Sequence, residues 1–344
     1  MNLRNLITQT GIRMFFTLSL SSILIITVSL CQKDNVSPPD TYSLQIATEG
    51  RYVSRASTTA IIYKVSGPIS LSGVKNRTIS GESITGGITP CISLNNCSNI
   101  HITHCKLINS TATGVNLINC VNISVDTSYI SNVSSGIYAT RCQTIQVVGN
   151  QMLNMVGPPP RGQFVQFNRV SGVGNSVIGN ICENIMGSSY PEDAISMYKT
   201  NGTAASPITI SGNWIRGGGP SKTGGGIMLG DNGGSYQTAV NNTLVNPGQY
   251  GVAVSGGNNM RILNNKIYAV KNTFTNVGIY VYNQYSTGCS EIIVSGNKVN
   301  WTNSAGKSNP CWNGGNCGTV TGWSSNTWGA GITASILPAT MITW

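Results

Sequence analysis

Acidic side chains are scarce in this chain, ten against twenty Lys and Arg, and the scarcity makes each one worth locating. Between residues 130 and 285 only Glu183, Glu192, Asp193 and Asp231 carry a carboxyl group. Alternating apolar segments contain Ile195, Ile227 and Ile279. Aligned on those three, Lys199, Asp231 and Asn283 share one position, four residues on, and Asp193 shares another with Tyr250 on the opposite flank. Two chemistries suit such a set. Hydrolysis of a glycosidic bond needs two carboxyl groups, and Asp193 with Asp231 is the attractive pair. Removal of a proton alpha to a carboxylate needs a base, and a cation to neutralise that carboxylate. Lys199 would be the base, Arg161 or Lys222 would hold the carboxylate, and Asp193 and Asp231 would bind Ca²⁺ through oxygen. Gln166, Gln249, Tyr250, Tyr282, Asn283 and Tyr285 complete the polar surface a substrate would meet. The plain alternative is that Lys199 and Asp231 form a surface ion pair, worth little.

Such a set works only on a scaffold that brings separate segments side by side, and the sequence supplies one as an internal repeat. Gly149-Asn150, Gly179-Asn180, Gly212-Asn213, Asn241-Asn242, Asn264-Asn265 and Gly296-Asn297 recur at intervals of 23 to 33 residues, with Cys105 and Ser128 at the same position in two earlier repeats. Three places before that residue stand Ile102, Val125, Val147, Val177, Ile210, Ala239, Ile262 and Val294. Two places after it stand Leu107, Ile130, Met152, Cys182, Ile215, Leu244, Ile267 and Val299. Every one is apolar, which predicts strands with one buried face on either side of a turn rich in Asn and Gly. Five places before it the residue is Ile or Met, except for Asn175 and Gln237. A further strand opens most repeats, as in Gly136-Ile-Tyr-Ala, Gly226-Ile-Met-Leu, Gly251-Val-Ala-Val and Gly278-Ile-Tyr-Val. Each repeat then holds about three short strands and buries its inner face by stacking on its neighbours. Charged residues at 9% and 41 Gly suit that arrangement better than a helical one.

Cys97, Cys120, Cys142 and Cys289 all sit eight residues before the turn residue. They read as an inward ladder of thiols packed as small hydrophobes, and their spacing matches no zinc pattern. Cys311 and Cys317 flank a short Gly-rich loop and would form a disulfide in an oxidising compartment. Nine cysteines remain besides Cys31, so at least one is unpaired. The repeat fades after Val299, and residues 301–344 hold Trp301, Trp312, Trp323, Trp328 and Trp344. They read as a C-terminal cap over the last coil of a body spanning 43–300. His101 and His104 lie in an early repeat, away from the acidic cluster, and read as structural.

The G-I-x-V and I-x-V-x-G-N patterns over roughly residues 90–300 resemble the pectate-lyase-like right-handed parallel β-helix superfamily. The resemblance implies an all-β solenoid and a substrate lying along the outer face of one sheet. It covers lyases, hydrolases, epimerases, tailspikes and adhesins alike, so it leaves the activity to be argued from the site. The inserts around 158–161, 188–192 and 217–225 fall on that same face, as binding loops of solenoids do. No clear match to the signatures of polygalacturonase-like hydrolases is present. The expectation is therefore a lyase acting by β-elimination on an acidic, uronate-containing polysaccharide, with hydrolysis or non-catalytic glycan binding as alternatives.

The N-terminus reads as an export signal. Arg4 and Arg13 precede an uncharged apolar stretch from Met14 to Leu30. Val28-Ser29-Leu30-Cys31 resembles a bacterial lipobox, with Leu30 in place of the usual small residue, and implies lipidation at Cys31 after loss of residues 1–30. Lys33-Asp34 resembles the surface-export tether of some Bacteroidetes lipoproteins, and residues 31–42 read as a polar tether to a membrane. The chain after residue 30 carries 18 basic and 10 acidic side chains, a net of +8. That charge points to an acidic glycan or the cell envelope. The basic residues form no Lys/Arg run, which excludes the usual nucleic-acid-binding modules.

Overall fold

The computed structural model describes residues 62–344, and over them the chain is a right-handed parallel β-helix. The signal segment 1–30, Cys31 and the tether 31–42 lie outside the described residues. Each coil contributes three strands, as in Ile137–Thr140, Gln143–Val148 and Gln151–Met155. Each strand pairs in parallel with its counterparts one coil before and one coil after. Strands of the third kind form one eleven-stranded sheet. The first and second kinds are joined, because Ile227–Val240 runs on from one face of its coil to the next. We call the face built by the strands that open each coil the opening sheet.

The apolar pattern described above is the core. All sixteen residues three before and two after the turn residue are fully buried. The turn residues form a ladder through the interior. Asn150, Asn180, Asn213, Asn242, Asn265 and Asn297 are 0% exposed. In each, Oδ1 accepts from the backbone N–H of the turn residue one coil earlier, and Nδ2 donates to the Asn Oδ1 one coil later at 2.7–3.0 Å. Ser128 Oγ serves the same purpose for the N–H of Cys105. Asn326 adds a final rung that the dipeptide pattern does not reveal. The left-handed backbone belongs to the residue before the rung, for instance Gly149, Gly179 and Asn241, and the rung residue itself turns inward.

Asn175 and Gln237, the two breaks in the apolar pattern, are buried and fully employed. Asn175 accepts from the N–H of Ile145 and donates to the carbonyls of Ser171 and Gly172. Gln237 accepts from the N–H of Gly230 and donates to the carbonyl of Thr200. Each satisfies a backbone group that a distorted turn leaves unpaired, which an apolar side chain cannot do.

Cys97, Cys120 and Cys142 are buried thiols on successive coils, as expected, and the N–H of Cys120 points at the Sγ of Cys142, 3.3 Å away. Two cysteine expectations need correction. Cys317 is bonded to Cys289 and not to Cys311, and Cys289 therefore leaves the set of thiols. Cys289 pairs with Gly257 on one sheet, and Cys317 arrives beside it one coil later with its Cα 4.6 Å away. Cys311 opens a strand on a different face, opposite Ile279.

Coil pairing runs on beyond residue 300. Cys311–Asn313, Val320–Thr321 and Thr327–Trp328 extend the sheets by one more coil. Trp301 is fully buried, and Trp323 and Trp328 pack on the core as an interacting pair. The chain then turns back along the outside of the eleven-stranded sheet. Asn300 Nδ2 donates to the carbonyl of Ile332. Arg216, paired with Glu183, donates to the carbonyls of Pro338 and Ala339. Leu337 and Met341 pack on Val245, and Gln151 exchanges two hydrogen bonds with Thr343. Trp344 stacks on Tyr129 and approaches Tyr63.

Candidate functional site

The pairings of the opening sheet place Ile195 beside Ile227, Val252 and Ile279, as the sequence alignment supposed. The outward residues one place further on are Ser196, Met228, Ala253, Tyr280 and Trp312 on successive coils. Tyr250, Tyr280, Met228 and Ala253 form a small apolar cluster on the outside of this sheet, with Trp312 against it. The rings of Tyr250 and Tyr280 meet edge to face at 5.3 Å.

Asp193 stands at the edge of that cluster. Its Oδ1 accepts from the backbone N–H of Gly225 at 3.1 Å and from the hydroxyl of Tyr250. Tyr250 reaches it from two coils away by lying over Gly225, where an added Cβ would come within 2.6 Å of the ring. The carboxyl is 7% exposed, and burial raises it to about 8, with the charges of Glu192 and Asp231 adding to the shift. Oδ2 takes no part in either bond.

Asp231 sits at the other end of the same outer surface. Both of its oxygens are used: Oδ1 accepts from the Tyr285 hydroxyl at 2.8 Å and Oδ2 from Ser196 Oγ at 3.3 Å. Burial raises its pKa, and the Tyr285 and Ser196 bonds oppose the shift. Burial and the neighbouring carboxyl groups hold Tyr250, Tyr280 and Tyr285 in the phenol form. The two acids thus differ. One retains a proton near neutrality, and the other is an acceptor held in place by hydroxyls.

The remaining sequence-predicted residues divide. Arg161 donates to Gln166 at 3.1 Å and lies 4.2 Å from the ring centre of Tyr138, so both border the outer face. Tyr282 packs on Trp312 with ring centres 5.1 Å apart and is partly exposed. Gln249 is committed to the carbonyl of Lys222, and Lys222 is exposed on the loop. Asn283 shapes its own turn, donating to the carbonyl of Thr287 and accepting from the N–H of Tyr285.

The alignment of Lys199 with Asp231 does not hold. A bulge shifts the register after Ser196, so Tyr198 lies opposite Asp231. Lys199 instead extends beside the Tyr198 ring, 5.5 Å from its centre, and makes no ion pair with Asp231. His101 is bonded to Asp126 at 2.5 Å in an early coil, apart from this cluster.

Two residues outside the predicted site set also contribute. Tyr280 falls between the acids, its hydroxyl bound by Gln284 at 2.8 Å and near Met228 Sδ. Glu192 fastens the neighbouring insert, accepting 2.6 Å bonds from Ser221 and Thr223. Glu192 is one of the four acids of this region, and Tyr280 stands in the strand aligned through Ile279.

A Ca²⁺ ion takes six to eight oxygen ligands, several of them carboxylate. Among the described residues no three His, Cys, Asp or Glu converge. Asp193 is already bonded to the Tyr250 hydroxyl and the Gly225 N–H, and Asp231 to two hydroxyls. The donor set does not fit Ca²⁺, and no step below passes through it. A hollow of about 520 Å³ lies nearby, lined by Val156, Met186, Tyr190 and Pro220, and none of the candidate residues lines it.

No family model matches the sequence, and no curated protein does. Among solved structures, a mutant tailspike protein of the E. coli bacteriophage HK620 in complex with a hexasaccharide is similar to this chain. The identity is 13% and the TM-score 0.39, over 69% of this chain and 48% of that one. This chain thus matches about half the length of the tailspike.

Proposed function

We propose that the protein binds an extended polysaccharide along the outside of the opening sheet and hydrolyses it. The observation that carries this reading is the unlike state of the two carboxyl groups. Asp193 keeps a proton to about pH 8, and only its Oδ1 is hydrogen-bonded. It suits the general acid that protonates a leaving oxygen. Asp231, with both oxygens oriented by hydroxyls, suits the carboxylate that activates water or attacks the sugar. Tyr282 and Trp312 offer aromatic faces beside them for a sugar ring.

β-Elimination on an acidic glycan is the second reading, favoured by one observation. Arg161 lies on the same outer face and pairs with no carboxylate among the described residues. It would neutralise a uronate, with Lys199 as the base. We also place the protein in the cell envelope, exported by residues 1–30 and anchored through lipid on Cys31. The Cys289–Cys317 disulfide suits an exported protein.

The deciding experiment incubates the protein with a panel of neutral and uronate polysaccharides and follows two signals. New reducing ends without ultraviolet absorbance mean hydrolysis. New ends that absorb as unsaturated uronates mean elimination and overturn the hydrolytic reading. Retardation in a glycan gel with no product reduces the protein to a binder.

A further inference from the structure

The corner that follows the opening sheet has an unusual run of residues. Pairing of Ile118, Thr140, Asn168, Tyr198 and Asp231 on successive coils fixes the register. The next residue on each is Asn119, Arg141, Arg169, Lys199 and Asn232, and all five have left-handed backbone. Asn96, one coil earlier, does as well. Left-handed φ is disfavoured for side chains other than Gly, with Asn the usual exception. Asn fills this corner before and after, yet three consecutive coils carry a cation instead.

Those cations stand at the spacing of stacked strands, ~4.8 Å per coil, and repel one another. None pairs with a carboxylate among the described residues. They are oriented by neutral neighbours. Arg141 Nε donates to Asn119 Oδ1 at 2.9 Å. Arg169 and Lys199 lie 5.9 Å and 5.5 Å from the centre of the Tyr198 ring, whose hydroxyl is held by Asn232. Arg161 over Tyr138 adds a fourth cation on the same side. The corner thus combines left-handed backbone with like-charge repulsion in a chain short of acids.

We infer that Arg141, Arg169 and Lys199 form a linear track for the negative groups of an anionic glycan lying parallel to the rod axis. The inference rests on the reading of this face as a glycan groove, and it adds a polarity to that groove. The three coils of the track precede the coil of Asp231, and the aromatic pair Tyr282 and Trp312 follows it. Charge is read up to the coil that Lys199 shares with Asp193, and ring faces are read beyond the coil of Asp231.

The test is titration calorimetry of the full chain with an oligogalacturonate, a chondroitin sulfate fragment and a neutral maltooligosaccharide. The variant is Arg141→Asn with Arg169→Asn, which installs the residue that neighbouring coils use at this corner and so keeps the fold. The expected result is binding of an anionic oligomer that exceeds the neutral one, falls with salt, and weakens roughly tenfold or more in the variant with a flatter salt dependence. Preference for the uronate or for the sulfated chain identifies the anion. Unchanged affinity in the variant overturns the track, as does equal binding of the neutral chain or no binding of either anion. Anion binding without any product keeps the track and sinks the hydrolytic reading. Hydrolysis of neutral glycans with no anion preference does the reverse.

Discussion

Tyr250 hydrogen-bonds Asp193 across the position of Gly225, so a tyrosine and an acid two coils apart are joined over a residue with no side chain. Gly225 contributes twice, by giving the ring room and by donating its own N–H to the same carboxyl oxygen. Gly225→Ala should push the ring away, because the new Cβ would lie 2.6 Å from it. Activity should fall well before the fold does. Glycan turnover and thermal unfolding of the same sample check this, and parallel losses of both would contradict it.

Asp193 should also mark the stability of the fold against pH. Its proton is held to about 8 in the native chain against 3.8 for an ordinary Asp. Between those values the native state binds more protons than the unfolded one, so stability falls as pH rises. Below that window the burial cost is absent, and above it the cost is complete. Asp193→Asn should therefore gain in melting temperature over the parent as pH is raised from 4 towards 8, with no gain below. A constant difference across that range would mean the acid titrates normally.

The rate should follow a bell in pH, reported by the acid pair as a unit. The alkaline limb of kcat/KM should fall near pH 8, where Asp193 loses its proton. The acid limb should lie above 3.8, because Asp231 is raised as well. Asp193→Asn and Asp231→Asn should each lower kcat by roughly 10²–10⁴-fold. A glycoside with an activated leaving group should rescue the first variant and not the second, since such a group leaves without protonation.

The Asn ladder should be least tolerant in its middle. Asn213 accepts from the coil before and donates to the coil after, with both contacts buried. Asn213→Ala should cost about 1–3 kcal/mol or more, since it orphans buried backbone groups. Asn326, the last rung, is part-buried, and Asn326→Ala should cost less. Denaturant unfolding of the two variants gives the comparison.

The coil was legible because its signals are local. Apolar residues at fixed distances from Asn150, Asn180 and Asn213 define both the strands and the inner face, and burial follows them without exception. The site was legible only where register is regular. Asp193 and Tyr250 aligned because the strands through Ile195, Ile227 and Val252 pair without interruption. Lys199 did not, because the bulge after Ser196 has no signature beyond a Gly, and Gly is abundant here. The partner of Cys317 was hidden for a different reason. Sequence proximity favoured Cys311, whereas one coil of the helix brings Cys289 equally near.

The returning C-terminal tail changes how such a rod can come apart. A stack of coils in contact only with their neighbours frays from its ends, one unit at a time. Here the tail leaves near Asn300 and is still fastened at Gln151, Tyr129 and Tyr63. Early coils and late coils therefore share a loss: opening either end strips the tail from the other. A chain of independent links becomes a closed circuit, and unfolding should proceed as one event and not as a progression.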